Sequence, residues 1–191
     1  MIKRMMGLLV IPLLLWASPL RATEKGVIPQ KGDVMPPIVL PMPQDPVHQT
    51  YLGLAPGDTF QIMDIRGAVL IIEIMSMYCP HCQREAPRIN TFFNGIEQDA
   101  ALKDQVKLIG IGAGNSLFEI NFFQKKYAVP FPLFPDAEFQ IHKQVGEVRT
   151  PYFFGVHLKG PEAGRIFYSQ LGGPDDALKF LENLLQEAGL K

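Results

Sequence analysis

Val69-Leu70-Ile71-Ile72-Glu73-Ile74-Met75-Ser76-Met77-Tyr78-Cys79-Pro80-His81-Cys82 is the stretch whose reading decides the fold. Its first half is a short apolar, β-branched run between Gly67 and Pro80, which predicts a buried strand. Gln83, Arg84, Glu85 and Ala86 follow, all good helix formers, and Pro80 suits a first helical position. The chain therefore passes from strand to helix through a Cys-x-x-Cys. Cys79 falls at the helix N-terminus, where unpaired N–H groups and the positive end of the helix dipole favour a thiolate over a thiol.

Cys79 and Cys82 are the only cysteines among 191 residues. A structural zinc site needs about four ligands, and a second Cys/His pair at ligand spacing is missing. A c-type haem site needs His directly after the second cysteine, where this chain has Gln83. A structural disulfide closing so short a loop restrains the unfolded chain little. A redox pair is the expectation, with no metal and no cofactor. Between the cysteines, His81 can add positive charge and a donor beside the Cys79 thiolate. Glu73 interrupts an otherwise apolar strand six residues before Cys79. A buried carboxylate is costly without a partner or a task, so Glu73 reads either as a proton acceptor or as an edge residue paired with a Lys or Arg.

Outward from this centre, the composition is that of an ordinary globular protein, 47% hydrophobic and 19% charged. A net charge of −1 carries no nucleic-acid footprint. Lys3 and Arg4 followed by apolar Gly7 to Trp16 give residues 1–22 the pattern of a secretory signal peptide, with an uncleaved N-terminal anchor as the alternative. Residues 23–191 then form one exported domain, in a compartment where disulfides persist. Pro36 to Pro41 reads as extended, Gln44 to Thr59 as loop, and Phe60 to Ile65 as a loosely alternating strand. The helix after Cys82 is expected to reach about Glu97 or Gln98, kinked at Pro87. Val106 to Ile111 predicts a strand. Asn115-Ser116 is expected to cap a helix ending near Tyr127, with Glu119 completing a capping box. A short strand at Phe131 to Phe134 and a short helix from Asp136 to Val145 follow. Tyr152 to Leu158 and Arg165 to Leu171 read as a hairpin, and a last helix runs from about Asp175 to Ala188. Strands alternating with helices predict an α/β domain around one central sheet.

The chain resembles exported thioredoxin-fold redoxins of the TlpA/ResA type over roughly residues 32–188. The residues that carry the resemblance are Cys79 and Cys82, Pro87 five residues later, Thr150-Pro151 before a strand, and Gly172 after the last strand. Phe60-x-Ile62-x-Asp64-Ile65-Arg66-Gly67-x-Val69-Leu70 is similar to the pair of strands leading to the family's active site. The Pro80-His81 dipeptide, the Ser76-Met77-Tyr78 lead-in and Glu73 are similar to those of DsbA-like oxidases, whereas TlpA-like reductases usually carry Trp at the position of Tyr78. The interval from Cys82 to Pro151 leaves room for a TlpA-type inserted strand and helix and none for the large helical domain of DsbA. The resemblance implies a thioredoxin-like fold, a central mixed sheet flanked by helices, with N-terminal extension strands. It implies a thiol–disulfide oxidoreductase in which Cys79 attacks and Cys82 resolves, with Pro80, His81 and Glu73 assisting. Thr150, a cis Pro151 and Tyr78 are expected to meet substrate. A TlpA/ResA-like reductase acting on exported protein thiols and disulfides, drawing electrons from a membrane partner, is the first expectation. A DsbA-like oxidase or isomerase is the alternative. A Sco-like copper carrier, whose motif has one more residue between the cysteines, and a peroxiredoxin-type peroxidase, whose Pro-x-x-x-Thr-x-x-Cys context is absent, are the other classes weighed.

Overall fold

The structure is a computed structural model that describes residues 26–173 and 175–190. Residues 1–22, read as a signal peptide or anchor, lie outside the described residues. The domain is an α/β sandwich built on five strands in the order β5-β4-β3-β6-β7. The strands are β3 (Val69–Met75), β4 (Val106–Ala113), β5 (Leu133–Asp136), β6 (Tyr152–His157) and β7 (Ile166–Leu171). β4, β5 and β7 run parallel to β3, whereas β6 runs antiparallel to its neighbours β3 and β7, so the sheet is mixed. The extra strand and helix expected between Cys82 and Pro151 are present as β5 and the helix α3 (Leu117–Tyr127) that joins it to β4.

β3 is buried along its whole length because it is the central strand and both faces of the sheet are covered. Successive side chains point to opposite faces. Leu70, Ile72 and Ile74 enter one core with Ile38, Leu40, Leu52, Phe60 and Ile62 from the N-terminal segment. Val69, Ile71 and Met75 enter the other, under helices α2 (Pro80–Gln98) and α5 (Ala177–Glu187), with Phe92, Phe153, Phe180 and Leu184. The same alternation puts Glu73 on the face covered by α2, the helix that carries Cys82.

Cys79 is the N-cap of α2, Pro80 occupies the first turn, and the helix continues through Pro87. The box of Ser116 and Glu119 caps α3 as the sequence predicts. Two expectations are corrected. Gln44 to Thr59 contains a helix, α1 (Pro46–Leu52), capped by the Asp45 side chain and closed by Gly53 at φ 65°. Phe60 to Ile65 is not one strand. β2 (Thr59–Gln61) pairs with β1 (Val39–Pro41), and Ile62–Asp64 then turn into a 3-10 helix. Its box between Gln61 and Asp64 ends the strand. Two boundaries also shift. The predicted Phe131 to Phe134 strand starts later, and the helix after Asp136 is the shorter α4 (Gln140–Gln144), to which Asp136 accepts from the N–H groups of Ile141 and His142.

Residues upstream of β1 run antiparallel along the edge of β7. Val34 bridges Arg165, and the Pro29 carbonyl accepts from Ser169 Oγ at 2.7 Å. Gly26 and Ile28 then lie against Lys143 at the end of α4 and Gly146 in the loop that precedes Pro151.

Candidate active site

The site forms where β3 ends and α2 begins. Cys79 takes an extended conformation at the N-cap, and the Cys82 N–H donates to its sulfur at 3.4 Å. The Cys79 thiol donates to the Thr150 carbonyl at 3.3 Å. Thr150–Pro151 is cis, and Gly172 N–H bonds the Pro151 carbonyl at 2.9 Å. The fold thus brings Cys79, Cys82, Thr150 and Pro151 together from the β3–α2 junction and the start of β6. Both cysteines are free thiols, Cys79 half-buried and Cys82 buried.

The two thiols sit in different surroundings. Partial burial works to raise the Cys79 pKa, but hydrogen bonds from the Thr150 side chain, from the Cys82 thiol and from the backbone N–H groups of Cys82 and His81 outweigh it, and the net shift is downward. Burial pushes the Cys82 thiol far up, and the hydrogen bond with Cys79 and the nearby Glu73 push the same way. One sulfur is thereby favoured as thiolate at a reachable surface, and the other is kept protonated below it.

Glu73 is buried, and among the described residues no ion pair includes it. Burial first, then the negative charges of Glu85 and Cys79, push its carboxyl up to about 8. The edge position with a cationic partner is therefore not what the fold gives it. Glu85, which sequence reasoning passed over as a helix former, stands one turn beyond Cys82. Its Oε1 accepts from Arg88 at 2.9 Å, and its Oε2 is buried without a hydrogen-bond partner. Gly173 makes this placement possible, since a Cβ there would stand 2.8 Å from that oxygen. The signal available in the sequence was a carboxylate three residues after Cys82, on the face that continues into buried Ala86 and Ile89.

The remaining residues point elsewhere. The His81 ring is exposed and its Nδ1 takes a hydrogen bond from Arg84 at 2.7 Å, so His81 reaches the Cys79 sulfur through its backbone N–H. Pro80 is exposed at the first turn of α2. Tyr78 is also exposed, and its hydroxyl donates to the Glu119 carboxylate, linking the residue before Cys79 to the cap of α3. Among the described residues no group of three or more His, Cys, Asp or Glu is placed to hold a metal ion.

Residues 33–165 match the AhpC/TSA family. The thiol-disulfide oxidoreductase ResA of Halalkalibacterium halodurans is 21% identical over 134 residues, 69% of this chain and 71% of that protein. The sporulation thiol-disulfide oxidoreductase A of Bacillus subtilis is 26% identical over 98 residues, 50% of this chain and 56% of that protein. A thioredoxin family thiol:disulfide interchange protein of Chlorobium tepidum superposes with a TM-score of 0.57 at 15% identity, covering 83% of this chain and 98% of that one. That likeness shows the fold. The sheet order and helix placement are those expected of a thioredoxin-like domain.

Proposed function

The chain belongs to the AhpC/TSA family, and on that premise we propose that it is an exported thiol–disulfide oxidoreductase that reduces protein disulfides through Cys79 and Cys82. One observation carries the reading: a half-buried cysteine at a helix N-cap lies directly above a buried cysteine of the same first turn, with opposite pKa shifts. The relatives named as thiol-disulfide oxidoreductases support it.

In the reducing direction the Cys79 thiolate attacks one sulfur of a substrate disulfide. The substrate S–S bond breaks, one substrate sulfur leaves as a thiolate that takes a proton from water, and a mixed disulfide with Cys79 forms. Cys82 loses its proton to the Glu73 carboxylate and attacks the Cys79 sulfur. The second substrate thiolate leaves and the Cys79–Cys82 disulfide remains, so two electrons have passed to the substrate. A carboxyl with a pKa of about 8 exchanges a proton readily near neutral pH. The Thr150 backbone beside Cys79 can pair with an extended substrate backbone, its carbonyl passing from the Cys79 thiol to the substrate once Cys79 is a thiolate, with Pro151 and exposed Tyr78 flanking it. The pair returns to the dithiol by exchange with a membrane-bound thiol donor. The targeting pattern of residues 1–22 supports a site of action outside the cytoplasm.

The equilibrium reduction potential of the Cys79–Cys82 pair, titrated against dithiothreitol or glutathione, tests the direction. Each 30 mV or so is tenfold in the equilibrium for this couple. A value near the thioredoxin end of the range, about −270 mV, is expected, whereas one near the DsbA end, about −120 mV, overturns the reductase direction.

A further inference from the structure

The three residues between β3 and Cys79, Ser76-Met77-Tyr78, are held from outside their own segment. The Met77 N–H donates to Asn115 Oδ1 at 2.8 Å, and the Met77 carbonyl accepts from Gln83 Nε2 at 2.7 Å. Asn115 Nδ2 also donates to Ser76 Oγ at 3.4 Å. Asn115 is fully buried at 0% exposure. Its own backbone is fixed, its N–H donating to the Gly112 carbonyl at 3.0 Å and its carbonyl accepting from Asp136 N–H at 3.1 Å. Gly112 leaves room for it, since a Cβ at that position would stand 3.0 Å from the Asn115 side chain. Capping does not need Asn115, because Ser116 and Glu119 cap α3 by themselves. A buried amide is costly unless its polar atoms find partners, and both ends of this one are spent on the loop that leads to the cysteine.

We propose that Asn115 and Gln83 are positioning residues of the thiol site, gripping the two peptide groups that flank the Met77 Cα and so holding Cys79 in its N-cap geometry. The inference rests on the disulfide-exchange reading for its functional meaning. The Cys79 N–H bonds the Ser76 carbonyl at 3.0 Å, so rotation of the Ser76–Met77 peptide moves the turn on which Cys79 sits. The Cys82 N–H donates to the Cys79 sulfur at 3.4 Å, and a displaced sulfur loses that bond. The grip has two halves on the adjoining peptides of one residue, and removing either half frees Met77 to rotate.

The test is the pH dependence of iodoacetamide alkylation of Cys79 in the reduced protein, with the modified residue identified by mass. Gln83→Ala, Asn115→Ala and the double variant are compared with the parent chain. Each single variant is expected to shift the alkylation midpoint to higher pH and to slow alkylation below the parent midpoint by roughly 3- to 10-fold, since tenfold corresponds to one pH unit. The double variant is expected to be no slower than the slower single one, because both changes release the same residue, Met77. Gln83→Ala places a strong helix former in the first turn of α2 and keeps the test open if Asn115→Ala does not fold. An unshifted profile in Gln83→Ala overturns the proposal, as does a double variant whose effects simply multiply. A lowered melting temperature with an unshifted profile overturns it too, since it reveals packing alone. Failure of the parent protein to form a Cys79–Cys82 disulfide overturns the exchange reading instead, and the alkylation profiles then still decide the grip.

Discussion

Replacing Glu73 with Gln removes one buried charge and leaves the side chain's shape almost unchanged. The carboxyl is ordinarily near 4.5 and is pushed up to about 8 in the folded protein, by burial, then by Glu85, then by Cys79. A group whose folded pKa lies above its unfolded value favours folding fully below the unfolded pKa, and that contribution is lost as pH rises through the folded one. Below about pH 4 both states hold the proton, and Glu73 has no pH-dependent effect. Between about 4.5 and 8 the unfolded chain is ionised and the folded one is not. Stability then falls by about 1.4 kcal/mol for each tenfold drop in proton concentration. Above about pH 8 the whole loss, on the order of 5 kcal/mol, has been incurred. Glu73→Gln escapes it. The variant should therefore gain stability over the parent by about 3 kcal/mol at neutral pH and about 5 kcal/mol at pH 9, relative to the difference at pH 4. Urea unfolding of both reduced proteins across that range measures it, with a constant slope against denaturant securing the comparison. The constant offset from burying an amide does not matter, because the rise of the difference with pH is what is read. If that difference is flat from pH 4 to pH 9, the buried, proton-holding carboxyl is wrong, and with it the proton acceptor assigned to Cys82.

Glu85→Gln removes the like charge that helps raise the Glu73 carboxyl, so the pH at which the parent loses stability should move lower in the same urea series; an unmoved step means that the two carboxyls are not coupled. Cys82→Ala should arrest exchange at the mixed disulfide, visible as a protein–protein adduct through Cys79 on a non-reducing gel, whereas Cys79→Ala should give none; adducts from Cys79→Ala would reverse the assigned roles. Phe92→Ala empties a fully buried position packed on Phe180 and should cost about 3–5 kcal/mol by urea unfolding, and a loss under about 1 kcal/mol would show that this core collapses around the gap. Ser116→Ala deletes the side-chain cap of α3 and should cost about 1 kcal/mol in the same assay, with no loss expected only if the cap is redundant.

The central elements were legible because their signals are local. A β-branched run, a proline at the first turn and a capping box each lie within a few residues of what they determine, and β3, α2 and α3 fall where those marks put them. α1 carried equally local marks in Asp45, Pro46 and Gly53. It was read as loop because only Leu52 of its seven residues is buried, which leaves no apolar period to notice. The strand read across Phe60 to Ile65 failed for a related reason. Its alternation was loose, and the hydrogen bonds between Gln61 and Asp64 favour a tight turn over continued pairing. In the site, Cys79, Cys82 and Glu73 share one stretch of chain and were found together. Asn115 and Glu119 approach that stretch only after β4 has laid itself beside β3. A single buried amide has no period and no spacing, so nothing in the sequence marks it as a partner of Met77. His81 shows the opposite limit, since its place between the cysteines does not tell that its ring turns toward Arg84.

The path of the chain before β1 has a mechanical consequence. Residues 29–34 follow β7 toward the end of the sheet where Gly172 meets Pro151, and Gly26 leaves the domain against Lys143 and Gly146. Residues 26–34 therefore lie along the side of the sheet that carries the turn before Thr150–Pro151. A pull applied at Gly26 would reach Gly146, four residues before Thr150, through that contact.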